Sequence, residues 1–399
     1  MKSKAVISRV DGSLVSAIFE DDSCVSISSP DPDSLTGDLF VGRVERVIPQ
    51  LSCCFIEFQK GGRGYYPLKD NKYRIYTNDP DRKRPPKGGD TFVVQVRRPA
   101  VAPKEALLTS ELTLNGYYLI LVVGDPTVHF SKKLKASERD PELAENLKAI
   151  GKSDGTLPDF GFIVRTNAAG ASAADILGEA KRLKARMTNI LKSARTAPAC
   201  SKIGEGPKEW ESAIRELPAE SDPEVITDIP EIFESLSSTF AGEPIRIRFY
   251  DDPYPLCNLY SLKTNRDRAL TRVVHLKSGA NLYIDKTEAL TAIDVNAAAS
   301  SSRGPGVPEK KKLCVNLEAA DEVARQLRLR NISGMILVDF ISMKAEEDKA
   351  ALLTRLRQAV RKDTVPVQVL DMTRLGLVEI TRKKEGRDVY EAFSEKPVL

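Results

Sequence analysis

Leu290-Thr-Ala-Ile-Asp294-Val-Asn296 and Gly334-Met-Ile-Leu-Val-Asp339-Phe340 frame the stretch that decides the fold. Leu290 to Ile293 are mostly apolar, and Met335 to Val338 form a second apolar run of strand length. Between them Leu317, Ala320, Val323, Ala324 and Leu327 recur at spacings of three and four, which predicts an amphipathic helix over 316–330. Strand, helix, strand is a crossover unit, whose strands are typically parallel neighbours linked right-handedly. Asp294 and Asp339 then leave equivalent ends of nearby strands. Two carboxylates held a few ångströms apart repel each other. A hard divalent cation such as Mg²⁺, which takes oxygen ligands and keeps several waters, relieves that repulsion. Asn296 falls on the same face of an extended segment as Asp294 and can steady a carboxylate or a phosphate oxygen. The plainer alternative is that each Asp only closes a strand as a loop or cap residue.

The rest of the chain sets bounds. Its 399 residues allow two or three domains with ample core. Charged residues make up 29%, and the formal net charge is only +4, so a polyanion site must be a local patch rather than a global field. Six cysteines are scattered without a Cys-x-x-Cys pair, and His129 and His275 are the only histidines, so no thiolate zinc site and no structural zinc are expected. No signal-peptide core and no run of membrane-spanning length stands out, which makes the expected location cytoplasmic.

Ala5 to Val10 and Leu14 to Phe19 flank Asp11-Gly12, a hairpin signal. Residues 37–115 read as a small β domain. Cys54, Ile56 and Phe58 alternate with Cys53, Phe55 and Glu57; with the first set inward, Phe55 faces solvent, and Tyr65 and Tyr66 follow after Gly61-Gly-Arg-Gly64. This segment holds 14 Lys/Arg against 9 Asp/Glu, a larger excess than that of the whole chain. An exposed aromatic ring among cations suits single-stranded RNA, whose bases stack while Lys and Arg hold phosphates. The alternative is a small core with a solvated cationic face. Asp79 to Gly89 reads as a basic loop.

Tyr117 to Val123 reads as a strand, 141–150 as a helix, and Gly161-Phe-Ile-Val-Arg165-Thr166 as a strand ending in a cation and a hydroxyl. Ser172 with Asp175 suits the N-cap of a helix reaching about 192. Arg165, Thr166 and free backbone N–H groups after a strand would make a phosphate pocket. Pro218 to Pro230 reads as a linker, followed by a helix over 231–239 and strands over 245–250 and 272–276. His275 sits in an apolar run and is expected in the core. Helical spacing marks 350–360, Val365 to Leu370 reads as a strand, and Ser300 to Lys312 as a loop over the aspartates.

At Glu288-Ala-Leu-Thr-Ala-Ile-Asp-Val-Asn296, Asn316-Leu-Glu-Ala-Ala-Asp-Glu-Val-Ala-Arg-Gln-Leu-Arg-Leu-Arg330 and Gly334-Met-Ile-Leu-Val-Asp-Phe-Ile341 the chain resembles the catalytic core of the ribonuclease E/G family. The resemblance implies a multidomain α+β fold. An RNase H-like subdomain would be split between 1–36 and 217–277, around an S1-type OB-fold barrel over 37–115 and a 5′-sensor region over 116–216. A DNase I-like α/β catalytic subdomain would fill 278–399. It further implies an Mg²⁺-dependent endoribonuclease, with Mn²⁺ able to substitute, that cleaves single-stranded RNA in rRNA maturation or mRNA decay. Asp294 and Asp339 would hold the metal and Asn296 would support them. Arg165 and Thr166, with main chain at Gly116 and Ile120, would bind a 5′-terminal monophosphate. Phe55, Tyr65, Lys104 and Arg374 would contact RNA, with a surface salt bridge the equal alternative for Arg374.

Several positions depart from the family pattern. Ala297 to Ser302 replace a stretch that often carries an arginine, with Arg303 one residue out of register; Ser342 stands where an acidic residue is usual, and Pro366 where an arginine is. The zinc-linking Cys-Pro-x-Cys motif is not found, so a homodimer would form without zinc or not at all. These departures motivate an alternative reading, a non-catalytic RNA-binding or ribosome-assembly factor on the same scaffold.

Overall fold

The computed structural model describes residues 2–71, 73–77, 85–100, 104–215, 217–297 and 309–394. The chain forms two compact units, residues 31–218 and a discontinuous unit of 1–30 with 219–399. Among the described residues no helix is long and apolar enough to cross a membrane.

In the discontinuous unit, strands Ser3–Val10 and Ser13–Glu20 form the expected hairpin, with Asp11 and Gly12 both at positive φ, as a tight two-residue turn demands. They belong to a five-stranded sheet ordered Arg246–Phe249, Glu224–Thr227, Ser3–Val10, Ser13–Glu20, Ser23–Ser28. Strand Glu224–Thr227 corrects the reading of 218–230 as a linker: Val225 and Ile226 are fully buried and pair in parallel with the first strand. Proline and acidic residues around this short strand disguise it, because only two of its side chains are apolar.

The second sheet of this unit has six strands, ordered Val273–His275, Asn281–Lys286, Leu290–Asn296, Gly334–Asp339, Leu377–Arg382, Val367–Met372. Leu290–Asn296 and Gly334–Asp339 are adjacent and parallel, joined by helix Glu309–Leu329. That helix begins earlier than the apolar spacing suggests, so Glu309 to Lys312 are helical rather than loop. A Lys312–Glu309 ion pair at 2.8 Å supports its first turn. Positions 300–308 of the expected loop, Arg303 included, lie outside the described residues, as do 79–84 of the basic stretch Asp79 to Gly89. Alternation divides the sheet. Ile293, Val295, Ile336, Val338, Val378 and Ile380 pack with Ala320, Val323, Leu327, Leu352 and Leu356 of the two helices Glu309–Leu329 and Glu346–Ala359. The intervening side chains project from the other face.

The continuous unit holds a closed five-stranded barrel of Leu39–Ile48, Cys53–Gln59, Gly62–Pro67, Ala106–Thr109 and Thr91–Arg98, the last pairing back onto the first, consistent with an OB-type barrel. Strand Ser201–Gly204 adds to its outside. A separate four-stranded sheet runs Val128–Phe130, Phe160–Val164, Leu119–Val123, Thr113–Asn115, packed with helices Pro141–Gly151 and Ala173–Ala194. Ser172 caps the latter by accepting from the Asp175 N–H. Gly161 is obligatory here: a Cβ would lie 1.9 Å from the Asp125 carbonyl oxygen.

Under the six-stranded sheet Arg382 and Asp363 form a nearly fully buried ion pair, with Arg382 Nε and Nη2 donating to the carboxylate at 2.7 and 3.2 Å and Nη1 donating to Asn331 Oδ1 at 2.7 Å. Removing one partner strands a buried charge. Arg382→Ala is therefore expected to cost about 3–5 kcal/mol, and the apolar pair Asp363→Leu with Arg382→Met to cost much less. Urea unfolding midpoints of the two variants check this.

Candidate active site

Asp294 and Asp339 are direct register partners at the ends of the two parallel strands, which puts their backbones about 4.8 Å apart. Both side chains are exposed on the face opposite the helices. Burial and the facing Asp339 charge raise the Asp294 pKa from its ordinary value, while a hydrogen bond from Asn296 Nδ2 to Asp294 Oδ2, at 2.5 Å, offsets part of that rise. Asp294 thus senses the charge of Asp339. The chain leaving Asp339 is fixed from below. Asn316, fully buried on the connecting helix, donates from Nδ2 to the Ile341 carbonyl at 2.8 Å and accepts the Ile341 N–H at 3.0 Å.

The donor chemistry tests what such a pair can hold. Among the described residues two carboxylates and an amide are available, with no imidazole or thiolate joining them. Among the described residues no group of three or more His, Cys, Asp and Glu could hold a metal. A set this sparse and this hard fits a small divalent cation such as Mg²⁺, which binds through one or two carboxylates and fills its remaining positions with water and phosphate oxygens. It does not fit zinc, which needs three or four nitrogen, sulfur or carboxylate ligands.

Arg374 is exposed in the turn preceding Leu377, and Leu377 is the register partner of Asp339, so this guanidinium sits at the carboxylate end of the sheet. Ser342 is exposed just beyond Asp339. Pro366 is exposed before the outermost strand, where its carbonyl accepts the Lys383 N–H. His275, expected in the core, is exposed instead, with Nδ1 2.6 Å from Asn281 Oδ1. Its strand has three residues at the sheet edge, too short for the apolar run around it to specify which side points inward.

In the barrel, Phe55 and Tyr65 are register partners with ring centroids 6.2 Å apart, edge to face. Phe55 is half-buried and Tyr65 is 36% exposed, whereas Tyr66, one residue on, is buried and hydrogen-bonded to Ser110. Arg63 lies over the Phe55 ring, 5.1 Å from its centroid, and pairs with Glu105 at 2.7 Å. Lys104 is exposed immediately before Glu105. The rings and Arg63 therefore share one side of the barrel.

Arg165 and Gly116 also come together. Arg165 follows strand Phe160–Val164 and donates from Nη1 to the Gly116 carbonyl at 3.3 Å, while Thr166 is exposed at the start of a 3₁₀ turn. Ile120 lies in the neighbouring strand, flanked by Ile163 and Asn115. The residue that sequence reasoning missed here is Glu179. Its buried carboxylate accepts the N–H groups of Tyr117, Tyr118 and Leu119 at 2.5, 2.9 and 2.8 Å, and a Cβ on Gly116 would fall 2.5 Å from it. Burial holds the Glu179 pKa above its ordinary value despite the three donors. An acidic residue on the buried stripe of the long helix was the available signal.

A sequence model described as the Ribonuclease E/G family matches residues 113–385. Ribonuclease E of Haemophilus influenzae is 32% identical over 384 residues, covering 92% of this chain and 40% of the relative. Ribonuclease E of Escherichia coli is 32% identical over 380 residues, covering 92% and 35%. Ribonuclease G of Salmonella typhimurium is 29% identical over 370 residues, covering 89% and 74%. The chain thus spans two fifths or less of those two ribonuclease E relatives and about three quarters of the ribonuclease G. With the model matched across both aspartate strands and the helix between them, the chain belongs to the Ribonuclease E/G family.

Proposed function

We propose that this chain is an endoribonuclease that cleaves single-stranded RNA with the help of Mg²⁺, or Mn²⁺ in its place. The observation that carries the reading is the register pairing of Asp294 with Asp339 on an open sheet face, with the Asn296 amide on one of them. The names of the relatives, ribonuclease E and ribonuclease G, support the reaction class. When bound, the cation polarises the scissile phosphate and lowers the pKa of a water for in-line attack. The protein's own work is positional. Asp294 and Asp339 hold the ion, Asn296 fixes the rotamer of Asp294, and Asn316 holds the backbone after Asp339. Arg374 offers a guanidinium to a phosphate passing that end of the sheet. The products would carry a 5′-phosphate and a 3′-hydroxyl.

The remaining assignments follow the same reading. Residues 37–115 would be an S1-type barrel gripping RNA through Phe55, Tyr65 and Lys104. The segments 1–36 and 217–277 would make an RNase H-like subdomain, and 278–399 a DNase I-like catalytic one. Within 116–216, Arg165 and Thr166 with the Gly116 and Ile120 main chain would bind a 5′-monophosphate, on a loop that Glu179 pins by three backbone N–H groups. Substrates would be ribosomal RNA precursors or messengers.

Asp294→Asn and Asp339→Asn are each expected to abolish cleavage of labelled single-stranded RNA while the circular dichroism spectrum stays unchanged; full activity in either variant, or in excess EDTA, contradicts the reading. A melting experiment gives a second readout. A carboxyl whose pKa is raised by folding opposes folding at neutral pH, and the opposition fades as pH falls and the group is protonated. In EDTA at pH 7 Asp294→Asn should therefore melt at or above the temperature of the unsubstituted chain, with the difference closing toward pH 3. Added Mg²⁺ should raise the melting temperature of the unsubstituted chain only. For the 5′ end, Arg165→Ala should reduce the preference for 5′-monophosphate over 5′-hydroxyl RNA by about tenfold or more, the scale of a charged hydrogen bond, with Arg165→Lys restoring part of it. Parallel cleavage assays on the two RNAs measure that ratio.

A further inference from the structure

The open face of the six-stranded sheet carries more than the two carboxylates. Strand Asn281–Lys286 runs antiparallel beside Leu290–Asn296, and Tyr283 is the register partner of Asp294. Read across the strands, Tyr283, Asp294 and Asp339 form one row. Facing side chains in such a row have Cβ atoms about 5 Å apart, so the tyrosine ring adjoins the carboxylate pair.

Tyr283 stands outside the core cluster. Leu282 and Ile284, its neighbours in sequence, point into the core, while Tyr283 projects the other way and stays half-exposed. Among the described residues its hydroxyl has no hydrogen-bond partner. On its outer side the ring is flanked by Val273, its register partner on the edge strand, and by Arg272, whose guanidinium carbon lies 5.5 Å from the ring centroid. Asp285, on the same face two residues further on, holds that guanidinium by accepting from Nε and Nη2 at 2.5 and 2.7 Å. The cation is therefore neutralised and pinned over the ring, which makes it a poor phosphate ligand and a good stiffener of an aromatic surface. Toward the other end of the strand stand Asn281 and His275. The Asn281 carbonyl oxygen can only accept, so the His275 proton in that contact is on Nδ1, and Nε2 is left to meet a ligand.

We propose that Tyr283, backed by Arg272, is a stacking platform for the nucleobase next to the scissile phosphate, bordered by Asn281 and His275. The position of that phosphate rests on the nuclease reading above. Stacking on an aromatic ring tolerates any base, because each has a π-face, and it selects single strands, whose bases are free to leave a duplex.

The test compares the unsubstituted chain, Tyr283→Phe, Tyr283→Leu and Tyr283→Ala on a single-stranded RNA with one cleavage site. Companion RNAs are abasic at the nucleotide on one side of that site or the other. Stacking of one base predicts that Tyr283→Ala and Tyr283→Leu raise KM by about 5- to 100-fold. It also predicts kcat within about threefold, because ground-state and transition-state binding are lost together. Tyr283→Phe should behave as the unsubstituted chain. One abasic RNA should impose the same KM penalty on the unsubstituted chain and none on Tyr283→Ala. An unchanged KM in Tyr283→Ala, or an abasic penalty that persists in it at both positions, overturns the platform while leaving the nuclease reading intact. If the unsubstituted chain cleaves nothing, the nuclease reading falls, and fluorescence anisotropy in EDTA with an abasic site moved along the RNA decides the platform separately. A position whose penalty vanishes in Tyr283→Ala supports it, and the lack of any such position overturns it.

Discussion

Two like charges placed opposite each other by a parallel strand register are the constraint around which this chain is built. Asp294 and Asp339 cannot relax apart, because each lies on a strand locked between neighbours and backed by a helix-covered core. Burial first, and the Asp339 charge second, raise the pKa of Asp294. A fold keeps such an arrangement at a cost in stability, which the cation proposed above would offset. Asn296 moderates it from within the same strand, and Asn316, reaching through from the helix, stops the chain after Asp339 from swinging the second carboxylate away.

The sheet that carries the pair is used asymmetrically. One face is apolar and closed by two helices, which supplies the rigidity. The other leaves Tyr283, Asp294 and Asp339 partly or fully open to solvent. Because side chains alternate along each strand, a single register decides both which residues stabilise and which do chemistry. Tyr283, Asp294, Asp339 and the turn bearing Arg374 all follow from that one choice. In the other unit the barrel applies the same alternation on a smaller scale: Tyr66 serves the core and Tyr65, next to it, serves the surface.

How much of this could be read from the amino-acid string depended on the length and regularity of each element. The strand–helix–strand unit was legible because an apolar run, a period-3.6 stripe and a second apolar run are each long enough to signal alone. The hairpin at Asp11-Gly12 and the inward set Cys54, Ile56 and Phe58 were legible for the same reason. Short elements were not. Glu224–Thr227 hid among prolines and acids, and the three-residue strand ending at His275 gave the wrong side for that histidine. The strand Asn281–Lys286 alternates cleanly, yet without its register to Asp294 nothing in the sequence marks Tyr283 as a neighbour of the site. Glu179 escaped for a different reason: its partners are backbone N–H groups sixty residues away, and backbone partners leave no side-chain signature in a sequence.

The proposed chemistry needs one cation shared by the two carboxylates. Crystals grown or soaked with Mn²⁺ and measured at its absorption edge test that directly. The account predicts a single anomalous peak between Asp294 and Asp339, about 2.1 Å from an oxygen of each. A peak on only one aspartate, or none there while Mn²⁺ binds elsewhere on the protein, would contradict it.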